Sequence, residues 1–184
     1  EIAGNVVNGV SDGAGTFNLD ERRIEGGLDN GHAGSIVTGT GQIDGTLRNI
    51  GTVEVQGNGD SLTVGRLENA HHDATVNIHR DHALNLQDGG SNAGAIAVDG
   101  RLDVQGGVLE STDAGQLQVA ADGEVSGRVA NSGSLTVDGE VTGRIENRSG
   151  GTANLNNRVT GSVDNAGGTV NATGYPSTER ELSG

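Results

Sequence analysis

Four of the five histidines fall within residues 71–82, as His71-His72-Asp73 and then His79-Arg80-Asp81-His82. Imidazole and carboxylate are competent ligands for Zn²⁺ and similar ions. His71, His72, His79 and His82 are therefore the candidate metal ligands, or a sugar-binding loop. The competing reading is a solvated loop insertion. A second segment, Gly57-Asn58-Gly59-Asp60-Ser61-Leu62, reads as a plain Gly-Asp turn, with a calcium site as the alternative that its resemblance, given below, implies. Beyond these the chain is poor in chemistry. With no Cys there is neither a thiolate site nor a disulfide framework. No Ser/His/Asp constellation or phosphate loop stands out. The expectation is no catalytic residue, no enzyme, and no resident cofactor unless Zn or Ca occupies one of these two segments.

Composition narrows the class further. The 184 residues suit one domain. Net charge is -14, and all 11 basic residues are Arg. Nucleic acid and anionic membranes are disfavoured partners, because phosphate contact needs clustered basic side chains. No apolar run approaches the roughly 20 residues that span a bilayer. The chain begins at Glu1 instead of Met, as expected of a processed or excised form. Its apolar residues are nearly all Val, Leu, Ile and Ala, with one Phe (Phe17) and one Tyr (Tyr175). A conventional core with so few aromatics would be thin, whereas many small identical layers avoid the problem.

Such layers are written into the sequence. A phrase apolar-x-Gly-x-apolar-x-Asn recurs, clearest at Ile24 to Asn30, Ile43 to Asn49, Val125 to Asn131, Val141 to Asn147 and Val159 to Asn165. Each copy leads through a Gly-containing turn into an alternating run such as Ser134-Leu135-Thr136-Val137. Asn8, Asn30, Asn49, Asn69, Asn92, Asn131, Asn147 and Asn165 mark the copies, with Glu110 as the substitute in one of them. Their separations range from 16 to 23 residues. That fits a β-solenoid whose turns vary while its strands stay in register. Dense Gly and β-branched residues without 3.6 periodicity exclude helix. The predicted fold is all-β: one parallel β-helix of about nine coils over residues 1–174, followed by a polar tail, 175–184.

Alternation puts the apolar residues, the Gly and the Asn of each phrase on one face, expected to be the inside. The Gly then marks a narrow cross-section or a bend. Stacked Asn amides should bond the copies above and below and satisfy corner backbone groups. Outside, Asp29, Arg48 and Glu68 should alternate charge in consecutive coils, which controls register. An end coil exposes core and unpaired backbone, so the ends are the expected assembly surfaces: Ile2 and Val6 at one, Val170, Tyr175 and Pro176 at the other. The tail could also lie across the last coil as a cap.

Stretches such as Gly143-Arg-Ile-Glu-Asn-Arg-Ser-Gly-Gly-Thr152 and Gly161-Ser-Val-Asp-Asn-Ala-Gly-Gly-Thr-Val170 resemble the repeats of filamentous-haemagglutinin-type exoproteins and autotransporter passenger domains. The likeness covers roughly residues 2–172. It implies a right-handed β-helix on a bacterial surface, after removal of a signal peptide, with roles in adhesion, aggregation and biofilm. The partners would be the chain itself, head to tail, and surface glycans or other cells. The chain is short for such a protein and shows neither their amino-terminal secretion domain nor a carboxy-terminal barrel. Val137 to Ile145 also resembles bactofilins, intracellular cytoskeletal filaments, although their coils usually lack the regular Asn. The Gly57 segment is similar to the calcium repeat of RTX proteins, one residue short and without recurrence. Carbohydrate-active β-helix enzymes such as pectate lyases remain a further alternative, but they cluster Asp with basic residues on one face, and here Asp is scattered.

Overall fold

The computed structural model describes residues 1–10, 13–173 and 182–183. Two parallel sheets, of thirteen and nine strands, run the length of the chain and close a β-solenoid. Each coil contributes one strand to the nine-stranded sheet, from Thr16–Asn18 through Thr52–Val55 and Ser134–Val137 to Thr169–Ala172. Its strand in the larger sheet is continuous in some coils, such as Gly41–Asn49 and Glu140–Arg148. In others it breaks into two, as in Ala83–Leu86 with Gly90–Asn92 and Arg101–Val104 with Leu109–Ser111. Tyr175 and Pro176 lie outside the described residues. The backbone of Leu182–Ser183 pairs with Val163 and Asp164 at the edge of the last coil.

The inward columns explain why β-branched and Leu side chains dominate. One column stacks Val37, Val53, Val76, Ile96, Leu117, Leu135 and Ala153. Another stacks Leu28, Leu47 and Leu67, and later Leu109, Val129, Ile145 and Val163. All of these are buried. Each buried Val, Leu or Ile contributes about 1.5–3 kcal/mol, so the absence of a large aromatic core costs little when every coil supplies several.

The recurring phrase turns out to occupy two different frames. In the early coils its first apolar residue, Ile24 or Ile43, begins a column continued by Val64, Leu86 and Val104. In the late coils Val125, Val141 and Val159 belong to a neighbouring column, above Leu102, Leu84 and Leu62. The phrase Gly therefore does two jobs. Gly45 lies within a register shift between Ile43 and Thr46, where the strand bends. Gly127, Gly143 and Gly161 stack on one another with φ of 103°, 137° and 133°. A Cβ at Gly161 would overlap the Gly143 carbonyl, so here the coil is narrow and the backbone left-handed.

A second regularity concerns the corners. From Asn30 to Asn147 the corner after the ladder residue alternates between wide and tight. Wide corners, such as Gly31–Gly34, Ala70–Asp73 and Arg148–Gly150, follow Asn30, Asn69 and Asn147, whereas Ile50, Ala93 and Ser132 alone separate Asn49, Asn92 and Asn131 from the next Gly. A Cβ at the Gly51 or Gly94 closing a tight corner would overlap the carbonyl of Ser35 or Ala74 beneath it. The Ala70–Asp73 loop thus sits between the tight corners after Asn49 and Asn92.

Candidate functional surfaces

The Asn ladder is the best-ordered polar feature. Asn8 Nδ2 donates to Asn30 Oδ1 at 2.8 Å, and the relay continues Asn30 to Asn49 at 2.7 Å, Asn49 to Asn69 at 2.8 Å and Asn69 to Asn92 at 2.8 Å. It resumes from Asn131 to Asn147 at 2.8 Å and Asn147 to Asn165 at 3.2 Å. Each Nδ2 also reaches corner carbonyls: Asn49 donates to Gly51 O and Thr75 O, and Asn147 to Gly151 O and Thr169 O. Buried amides are thereby satisfied within the coil and between coils.

The ladder is interrupted once, and the sequence reading missed how. Glu110, expected as the stand-in, points outward and is exposed; the buried residue in register with Asn92 and Asn131 is Ser111. An extra residue in the Gly106-Gly107 segment shifts the strand's parity, which counting forward through the phrase does not detect. Asn92 Nδ2 meets Ser111 Oγ at a long 3.4 Å. The hydroxyl is too short to go further, and Asn131 Oδ1 is left buried with no hydrogen-bond partner.

The histidine segment does not converge. His71, His72 and Asp73 form one exposed corner, where one donor atom from each lies within 4.8 Å of the others. His72 Nε2 is 3.1 Å from Asp73 Oδ2, and the two rings lie 4.2 Å apart. His71 Nδ1 already accepts the Asp73 N–H at 3.3 Å. His79 and His82 belong to the next corner. His79 Nε2 lies 2.6 Å from Glu54 Oε2 in the coil below. His82 faces two carbonyls, Arg80 O from Nδ1 at 2.9 Å and Gly57 O from Nε2 at 3.1 Å. Only an imidazolium donates to both. The Gly57 carbonyl first, and then that of Arg80, accordingly raises the His82 pKa. Gly57, expected in a turn, is thus an anchor for His82, while Gly59 N–H donates to Thr40 Oγ1. Any divalent cation would find its His and Asp donors at the 71–73 corner, not across all four histidines.

The two sheets differ sharply outside. The larger sheet carries the charges: Arg23 pairs with Asp44 at 2.6 Å, Arg48 with Asp29 at 2.9 Å and Arg144 with Asp164 at 2.6 Å, each across coils. The Arg23 hydrogen bond holds Asp44 below the usual carboxylate range. Arg48 pairs with Asp29 alone of its two expected partners, since Glu68 lies near Arg66 at 4.0 Å. Solvent screens these exposed pairs, so they fix register more than they add stability. The strands of the nine-stranded sheet present instead Thr, Asn, Gln, Ser and Ala with one exposed Ile36, and Glu54, paired with His79, is their one ionisable outward residue. Compared with known protein families, curated proteins and solved structures, the chain matches none of them.

Proposed function

We propose that the chain is a structural and adhesive β-solenoid of a bacterial surface, a non-catalytic rod that extends by stacking end to end. One observation carries this reading: a single directional stack, parallel in strand and in amide relay. Every ladder Asn from Asn8 to Asn147 donates towards the carboxy-terminal end. Among the described residues Asn8 Oδ1 accepts no bond, and Asn165 accepts from Asn147. One end therefore offers an acceptor, and the other an amide with a donor to spare. The first coil also exposes Val7 and Val10, at 63% and 64%, with Ile2, Val6 and Phe17 partly buried against the core. Complementary ends of this kind are heterologous, so contact propagates instead of closing.

At the far end Val170 and Ala172 lie on the last strand of the nine-stranded sheet among the described residues, while the backbone of Leu182–Ser183 covers part of the edge of the larger sheet. A following copy would extend that short strand or displace it. Negative-stain electron microscopy with sedimentation at rising concentration tests the reading. Fibres with an axial repeat near the stack length, about 43 Å for nine coils at about 4.8 Å, are expected. Asp at Ile2 or Val6 should abolish them, because a charge would be desolvated between coils. A monomer at every concentration, or cleavage of a polysaccharide by the purified chain, would overturn it.

A further inference from the structure

We propose that the outer face of the nine-stranded sheet binds ice. The inference goes beyond the structural reading and does not need it, because a single copy carries the whole face. Two outward columns run the length of the sheet. One begins Thr16, Ile36, Thr52, Thr75 and ends Thr152, Thr169; the other begins Asn18, Thr38, Glu54, Asn77 and ends Asn154, Asn171. None of these side chains is buried. The nine strands pair without the register shift that bends the larger sheet. The columns are therefore straight. They repeat every 4.8 Å or so along the rod, and stand about 6.6–6.8 Å apart across it.

The chemistry of this array selects its ligand by elimination. A chain of net charge -14 keeps this one face almost free of charge, so it offers nothing to a phosphate, a lipid headgroup or an ionic mineral. It has no aromatic side chain other than the part-buried, inward Phe17, so no platform for the face of a sugar ring. Its footprint, about 43 Å by about 10 Å, is on the order of 400–500 Å², short of the about 800 Å² per partner that a stable dimer buries. What remains is a straight array with one ion pair, Glu54 with His79, whose other outward side chains can all hydrogen-bond apart from Ile36, Ala95 and Ala97. Ice presents a matching lattice of donors and acceptors, and one of its oxygen repeats is close to the strand spacing.

The side chains are held ready. Thr is stiff at χ1. Thr75 Oγ1 donates to Thr52 Oγ1 at 3.2 Å, Asn77 Nδ2 to Glu54 Oε1 at 2.8 Å and Asn171 Nδ2 to Asn154 Oδ1 at 2.9 Å. Many weak contacts, fixed before binding, add without a large ordering cost. The weakest stretch is the middle, where Ala95, Ala97, Gln116 and Gln118 replace Thr and Asn.

The test is thermal hysteresis and ice-recrystallisation inhibition by the purified chain, with adsorption to an ice hemisphere. The chain should show all three. Thr75→Tyr with Thr136→Tyr lifts ice off both halves of the face. It should lose the hysteresis while its circular dichroism melt stays that of the parent. Thr142→Tyr, outward on the opposite sheet, should keep it. No hysteresis and no adsorption would overturn the proposal, as would full activity in the double variant. Binding to cellulose or chitin without ice activity, or pairing of copies through this face, would also overturn it. None of these results bears on the end-to-end fibres, which are read independently by microscopy.

Discussion

Replacing Ser111 with Asn should stabilise the protein, because the ladder lacks one amide at that point. Ser111 is in register with Asn92 below and Asn131 above. It is buried, at 3% exposure, in the column where every other described coil from the first to the eighth places an Asn. An amide there would accept from Asn92 through Oδ1 and donate through Nδ2 to Asn131 Oδ1, the buried acceptor now without a partner. The corner after Ser111 is as wide as that after Asn147, whose Nδ2 reaches Gly151 O at 3.2 Å; the equivalent carbonyl here is Gly115 O. Leaving a buried acceptor unpaired costs about 1–3 kcal/mol. Fixing one more polar side chain costs roughly 1 kcal/mol. The net gain is up to about 2 kcal/mol, or up to about 8 °C in Tm for a chain of this size. Differential scanning calorimetry of Ser111→Asn beside the parent measures it, with Ser111→Ala as the opposing control that removes the acceptor of Asn92. An unchanged or lowered Tm in a folded Ser111→Asn protein would refute the reasoning that the ladder, and not the apolar columns alone, sets stability here.

Gly143→Ala should lower the Tm substantially, because Gly143 sits at φ 137° between Gly127 and Gly161, and its Cβ would overlap the Gly127 carbonyl; strain of about 1–3 kcal/mol is expected from the backbone alone, and an unaffected melt would show that the coils can spread. Asn147→Leu should cost at least about 1–3 kcal/mol by stranding the amide of Asn131 and two corner carbonyls, whereas Asn18→Leu, exposed and bonded only to Asp20 N–H, should change little in thermal melts; equal effects would contradict the inward assignment. His82 should make stability pH-dependent. Its folded pKa is raised by the Gly57 and Arg80 carbonyls, so its contribution is complete below the unfolded value near about 6.5 and is lost as pH rises through the folded value. The Tm difference between the parent and His82→Gln should therefore shrink on the alkaline side, and a difference that grows with pH would refute the imidazolium.

The repeat alone determined that this chain stacks. Alternating Val, Leu and Ile with Gly-rich turns cannot bury an apolar face in one copy, and an inward Asn every 16 to 23 residues forces an amide ladder at the strand spacing. Both are local facts of residue type and parity, so they can be read without coordinates. What only the tertiary structure decided is register, and register is a relation between coils. One extra residue near Gly106 and Gly107 moved the buried position from Glu110 to Ser111. The same phrase fell into different columns at Ile43 and at Val125, because a bend at Gly45 and a stack of left-handed glycines at Gly127, Gly143 and Gly161 absorb different lengths of chain. The histidines, adjacent in sequence, were divided between two corners because the inward strand Thr75–Ile78 runs between them. The nearly charge-free face likewise exists only once nine separate strands are laid side by side, since no single coil contributes more than two of its outward residues.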